Sequence, residues 1–126
     1  MRFIAVFLVL LVAALHAGFL VLEMFLWNDP IGHRVFGLTP EFAAASAVLA
    51  ANQGLYNGFL AAGLLWGLLS GRRDVTGFFL CCVIIAGVYG GLTARMSILY
   101  IQAVPAGVAL LVVLIARPSR ARQSLL

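Results

Sequence analysis

The chain has 126 residues, of which 64% are hydrophobic and only 10% charged, with a formal net charge of +4 and a mean hydropathy of +1.13. Soluble domains run nearer half apolar and a quarter charged, so a soluble enzyme, a nucleic-acid module and a disordered linker are excluded. What remains is a single all-α domain of transmembrane helices.

Four apolar runs follow one another at about 3–27, 41–70, 75–94 and 97–116. Each is long enough to cross roughly 30 Å of hydrocarbon at about 1.5 Å per residue. The first begins Met-Arg and then turns apolar, as a secretory signal does, but its apolar stretch exceeds a signal core and predicts an uncleaved helix. The second is overlong, near 45 Å by the same rise, and must tilt or project. Between the first two, Asp29-Pro30 and Thr39-Pro40-Glu41 are turn and helix-start signals. The remaining connections are a charged turn at 70–74 and a few residues near Arg95. Short connections predict an antiparallel four-helix bundle.

All eight basic residues are arginines, and they sit mostly at the ends of these runs. Arg2, Arg72, Arg73, Arg117, Arg120 and Arg122 fall on one side, Arg34 and Arg95 on the other. The positive-inside bias then predicts cytoplasmic N and C termini in a bacterial inner membrane, with loop 28–40 and Arg95 outside. Cys81 and Cys82 are adjacent on a helix and point about 100° apart. They are poorly placed to bridge or to share a metal, and read as small buried apolar residues. No metal site and no cofactor are expected. HExxH, CxxC, GxSxG and P-loop patterns are all missing from the sequence.

Polar side chains inside such helices are expensive and face a partner, a cavity or the bundle interior. On the first run, His16 and Glu23 lie seven apart on one stripe that continues to Trp27. The second carries Asn52, Gln53, Tyr56 and Asn57 within an arc of about 140°. Gly63 and Gly67 fall on that same arc, whereas Gly54 and Gly58 form a GxxxG spacing on a neighbouring face. Tyr89 lies near the outer end of the third run. Gln102 lies in the fourth, three residues before a Pro105 able to kink it. Counted from the outer ends, Glu23, Tyr89 and Gln102 each sit roughly 6–9 Å inside the membrane, with Arg95 just above. The inner half is almost wholly apolar. A polar layer on one side is what a pocket open to the outer face requires.

The strings that carry these residues resemble a known family. Leu22-Glu23-Met24-Phe25-Leu26-Trp27, the stretch from Asn52-Gln53-Gly54-Leu55-Tyr56-Asn57 to Leu64, Ala86-Gly87-Val88-Tyr89-Gly90 and Gln102-Ala103-Val104-Pro105-Ala106 look like the bacterial membrane proteins grouped as domain of unknown function 1304. The resemblance runs from the first helix through the fourth. It implies a small four-helix integral membrane protein and no established activity.

Three functions are open to such a chain. The first is binding or carrying a small amphipathic, lipid- or isoprenoid-like molecule. Glu23, Asn52, Gln53, Asn57 and Gln102 would hold its head, Trp27, Tyr56 and Tyr89 would form walls, and Arg95 would stand at the rim. The second is a membrane enzyme of isomerase or transferase type, with Glu23 as acid or base and His16 or Tyr56 assisting. The third is a structural or assembly subunit whose polar layer only locks helices together. Expected partners are membrane lipids, the amphipathic molecule and, through the Gly54/Gly58 and Gly87/Gly91 spacings, further copies of the chain. Nucleic acid is not among them.

Overall fold

A computed structural model of the chain describes residues 2–116, so Arg117, Arg120 and Arg122 lie outside the described residues. Every element among the described residues is helical: α1 (Arg2–Met24), α2 (Pro30–Phe36), α3 (Pro40–Leu69), α4 (Arg73–Thr93), α5 (Met96–Ile98), a π-helical turn (Leu99–Ala103) and α6 (Val104–Ile115). α1, α4 and the continuous stretch Met96–Ile115 are each long and apolar enough to cross a membrane. α2 and α3 pass the same test only together, across an 89° bend, so the candidate spans among the described residues number three, or four if the bent pair is one span. These are the helices of a membrane protein. Many of their large apolar side chains, such as Phe7, Leu49, Phe59, Phe78 and Ile85, are exposed.

Local chemistry explains where the elements begin and end. Asp29 caps α2 by accepting from the Ile31 N–H, and Pro30 supplies its first turn without a stranded donor. Gly37 ends α2 in the left-handed conformation at φ 67°. The expected start at Thr39-Pro40-Glu41 is where α3 begins, with Thr39 Oγ1 accepting from the Phe42 N–H at 3.2 Å. α1 stops at Met24, three residues short of the expected end, because α2 is laid across its terminus. Gly32 is buried there against the Leu26 and Trp27 carbonyls, where a Cβ would overlap Leu26 O. Trp27 therefore leaves the His16–Glu23 stripe.

The kink expected at Pro105 takes another form. Proline has no N–H to give the carbonyl four residues back, and the chain ahead of it widens into the π-helical turn, where Val104 N–H reaches Leu99 O. Gln102 lies within that turn.

The helices pack at glycines, because in lipid close van der Waals approach replaces the hydrophobic drive between helices. A Cβ on Gly54 would press on Met24 Cγ at 2.7 Å and Glu23 Cβ at 3.0 Å, and one on Gly58 would overlap Leu20. Gly63 is seated on the Phe79 ring and Gly67 on Thr76, joining α3 to α4. A Cβ on Gly87 would lie 2.7 Å from the Ala103 backbone nitrogen, and one on Gly91 would overlap Leu99. All six glycines are thus used inside one chain. Among them Val9, Val12, Leu64, Leu80, Val83, Ala106 and Ala109 form the buried apolar core.

At that turn Arg73 donates to the carbonyls of Val113, Leu114 and Ala116, the orphan acceptors at the end of α6. Arg72 pairs with Asp74 at 2.6 Å on the surface. The cysteines depart from expectation: Cys81 is exposed and Cys82 half-buried, both as free thiols, because the core face of α4 is taken by Leu80 and Val83.

Candidate functional site

The glycine contacts fix the register of all four long stretches, and with it the depth of each polar residue. Gly54 is level with Glu23 and Met24, and Gly87 is level with Gln102 and Ala103. From Gly54 to Gly63 is about 13 Å along α3, and from Phe79 to Gly87 is about 12 Å along α4. Since Gly63 sits on Phe79, the two levels agree to within about 2 Å. Glu23, Asn52, Gln53, Asn57, Tyr89 and Gln102 therefore share one layer.

Sharing a layer does not place them in one enclosed chamber. The pair brought into contact is Glu23 and Asn57: Asn57 Nδ2 donates to Glu23 Oε2 at 2.6 Å, with Asn57 buried and Glu23 half-buried. Asn52, Gln53 and Tyr56 are exposed on α3, Tyr89 is exposed on α4, and Gln102 is half-buried. His16 is buried two turns below Glu23. Its Nδ1 donates to Val12 O at 2.8 Å, its ring stands edge-on to Phe19, and its Nε2 has no partner among the described residues. Trp27 instead donates from Nε1 to Ser46 Oγ at 3.1 Å and packs on the Phe36 ring. Arg95 donates to Phe36 O at 3.0 Å, tying the α4–α5 turn to the end of α2.

The exposed residues nonetheless face somewhere definite. Tyr56 and Gly63 are two turns apart on the same face of α3, yet Gly63 is buried on Phe79 while Tyr56 is 53% exposed. Phe79 and Ala86 share one face of α4 in the same way, and Ala86 is exposed. Gln53 lies three turns before Leu64 on the stripe that includes Asn57 and Ala61; those three are buried and Gln53 is not. Gly63 and Phe79 pack together between α3 and α4, whereas two turns higher, at the level of the Glu23–Asn57 pair, Tyr56 and Ala86 on the same two faces are exposed. At this height α4 packs on the π-helical turn at Gly87 and Gly91. Asn52, Gln53 and Tyr56 are exposed there on α3, and Ala86 and Tyr89 on α4.

The sequence reading had no means of finding Ala86, Ser46 or Arg73. Ala86 carries no chemistry and matters by leaving space. Ser46 matters only as the acceptor of Trp27, which a helix ending at 27 would have carried elsewhere. Arg73 acts through hydrogen bonds to residues forty or more positions away.

With the geometry in hand, the comparisons decide the affiliation. The model of the family described as "Protein of unknown function (DUF1304)" matches residues 10–114, a stretch holding every candidate residue named above. The chain belongs to the DUF1304 family. It is also similar to the "Uncharacterized protein YpaA" of Lactococcus lactis subsp. lactis (strain IL1403), at 31% identity over 106 residues, covering 81% of this chain and 89% of that protein. No solved structure matches the chain. Membership in DUF1304 brings no activity with it, so function rests on the site.

Proposed function

We propose that the chain is a four-span inner-membrane protein that binds a small amphipathic molecule in the opened α3–α4 seam, in the outer half of the bilayer. One observation carries the reading: at the level where Asn57 and Glu23 meet, Gln53, Asn52 and Tyr56 on α3 and Ala86 on α4 are exposed. Amide groups left facing hydrocarbon are costly. A bound molecule with a polar head would satisfy them, and its tail would lie along exposed Leu49, Phe59 and Ile85. The orientation follows from the arginine bias, and Arg2, Arg72 and Arg73 stand at the inner end.

The test uses the space itself. Native mass spectrometry of the protein released from membranes should show a retained small molecule, lost in Ala86→Trp, whose indole takes up the space beside Ala86. Retention of the same molecule by Ala86→Trp would refute the seam as its site.

A second reading has one observation in its favour. Asn52 and Gln53 are amides that both donate and accept, so the same groups from another copy could cover them. In that case Asn52→Leu with Gln53→Leu would change the oligomeric mass and leave no co-purified molecule to lose. The acid–base reading gains no support from the contacts: Glu23 is bonded to Asn57, and His16 to its own helix.

A further inference from the structure

We infer that two copies of the chain pair side by side along the outward face of α3, with Asn52 of one copy bonded to Asn52 of the other. From Ala45 every residue at alternating steps of three and four, through Val48, Asn52, Leu55 and Phe59 and on to Leu69, is exposed. Val48 is 83% exposed and Leu69 88%. This is the a and d spacing of a helix seated on another helix, unbroken over about 36 Å. Asn52 falls at an a position. The stripe points away from the faces that α3 uses inside the chain, since Gly54 and Asn57 are taken by α1 and Gly63 and Gly67 by α4.

An outward stripe of apolar groups needs no partner but lipid. Phe7, Leu10 and Ala14 on α1, and Phe78, Ile85 and Leu92 on α4, repeat the spacing with apolar side chains alone. On α3 the same spacing includes an amide. Asn52 makes no side-chain hydrogen bond among the described residues. It stands in the layer of Glu23, where acyl chains offer its amide neither donor nor acceptor. Two copies of one chain enter the membrane with the same orientation, so residues of equal height face each other across a two-fold axis, and Asn52 meets Asn52. An amide both donates and accepts, which makes the pair self-complementary. A single Asn at an a position also fixes the register of two helices. Gln53 points about 100° further round α3, so the pairing goes beyond the amphipathic-molecule reading and leaves Gln53 to it.

The experiment places one cysteine at a time in a chain carrying Cys81→Ala and Cys82→Ala, and oxidises it in native membranes with copper phenanthroline. Val48→Cys and Leu55→Cys, at d positions, should form disulfide-linked dimers, because equivalent d residues of two parallel helices come within reach of a disulfide. Ile85→Cys, exposed on α4, should not. In phosphatidylcholine vesicles, single-molecule photobleaching should count two labelled chains per particle. Asn52→Leu should raise the dissociation constant of that dimer by about threefold to thirtyfold, while Asn52→Gln, which keeps an amide, should change it less. Helix content and melting of Asn52→Leu in dilute detergent should match those of the unaltered chain, since Asn52 bonds to nothing within it. Monomers in the vesicles, with lipid alone on the stripe, would overturn the pairing. So would crosslinking from Ile85→Cys as strong as from the d positions, or a crosslink from Val48→Cys to a different protein. A dimer that Asn52→Leu leaves unweakened would overturn the Asn52 pair on which the inference stands.

Discussion

Asn57 and Glu23 hold each other across the α1–α3 interface, the amide of one donating to the carboxyl of the other at 2.6 Å. Gly54, one turn earlier, makes the contact reachable: a Cβ there would lie only 3.0 Å from Glu23 Cβ. Removing Asn57 leaves the carboxyl with no protein partner in apolar surroundings. Asn57→Leu should therefore cost about 1–3 kcal/mol, read as loss of thermal stability in detergent. Glu23→Gln keeps an oxygen acceptor for the same amide and should stay within about 1 kcal/mol of the unaltered protein. Equal losses for the two variants would show that the bond contributes nothing of its own.

The glycines divide into those that carry a neighbouring helix and those that do not. Gly87 has the Ala103 backbone at 2.7 Å from where a Cβ would be, whereas Gly18 has nothing within 4 Å. Gly87→Ala should push α4 from the π-helical turn and cost about 1–3 kcal/mol. Gly18→Ala should be neutral or stabilise by up to about 1 kcal/mol through helix propensity. Gly18 also borders an open apolar recess of about 300 Å³ with Leu11, Ala14, Leu15, Phe19 and Leu22. Paired melting curves of the two variants check the contrast.

Arg73 closes the far end of the molecule by donating to Val113, Leu114 and Ala116 carbonyls. Arg73→Gln cannot reach three acceptors and should loosen the last turn of α6. Loss of hydrogen bonds from a charged donor is worth about 1.5–3 kcal/mol. Amide exchange over 113–116 should accelerate by roughly tenfold or more, while exchange near Val9 and Val12 stays unchanged. Uniform acceleration across the chain would mean that Arg73 supports the whole fold instead.

Trp27 and Ser46 meet through a single hydrogen bond of 3.1 Å, and Trp27 also packs on Phe36 at 4.8 Å between ring centroids. Trp27→Phe keeps an aromatic ring against Phe36 and loses the donor; Ser46→Ala loses the acceptor. Each should cost about 0.5–1.5 kcal/mol, and the double variant should cost less than the sum, since both remove one interaction. Strict additivity in chemical unfolding would show that the bond does not form in the membrane.

Much of this fold is legible along the chain. Apolar run lengths give the long helices, Thr39-Pro40-Glu41 gives the start of α3, and the depth of Glu23, Tyr89 and Gln102 follows from counting residues at a fixed rise per residue. The polar arc on α3, continued by Gly63 and Gly67, is a matter of helical angle alone. Such properties are local, set by backbone geometry that one segment carries wherever it is placed.

Which residues share a level and a face is therefore written along the chain. Which of those faces are covered depends on how the helices are packed. Asn57 finds Glu23 because Gly54 admits α1, whereas Gln53 and Tyr56, on the arc where the polar residues cluster, stay exposed. Trp27 changes partners because α2 ends α1 early, and the reach of Arg73 to α6 depends on two termini meeting in space. Whether a side chain is buried depends on what stands opposite it. That is a property of two helices together, set by the angle and height at which they meet, and no single segment contains it.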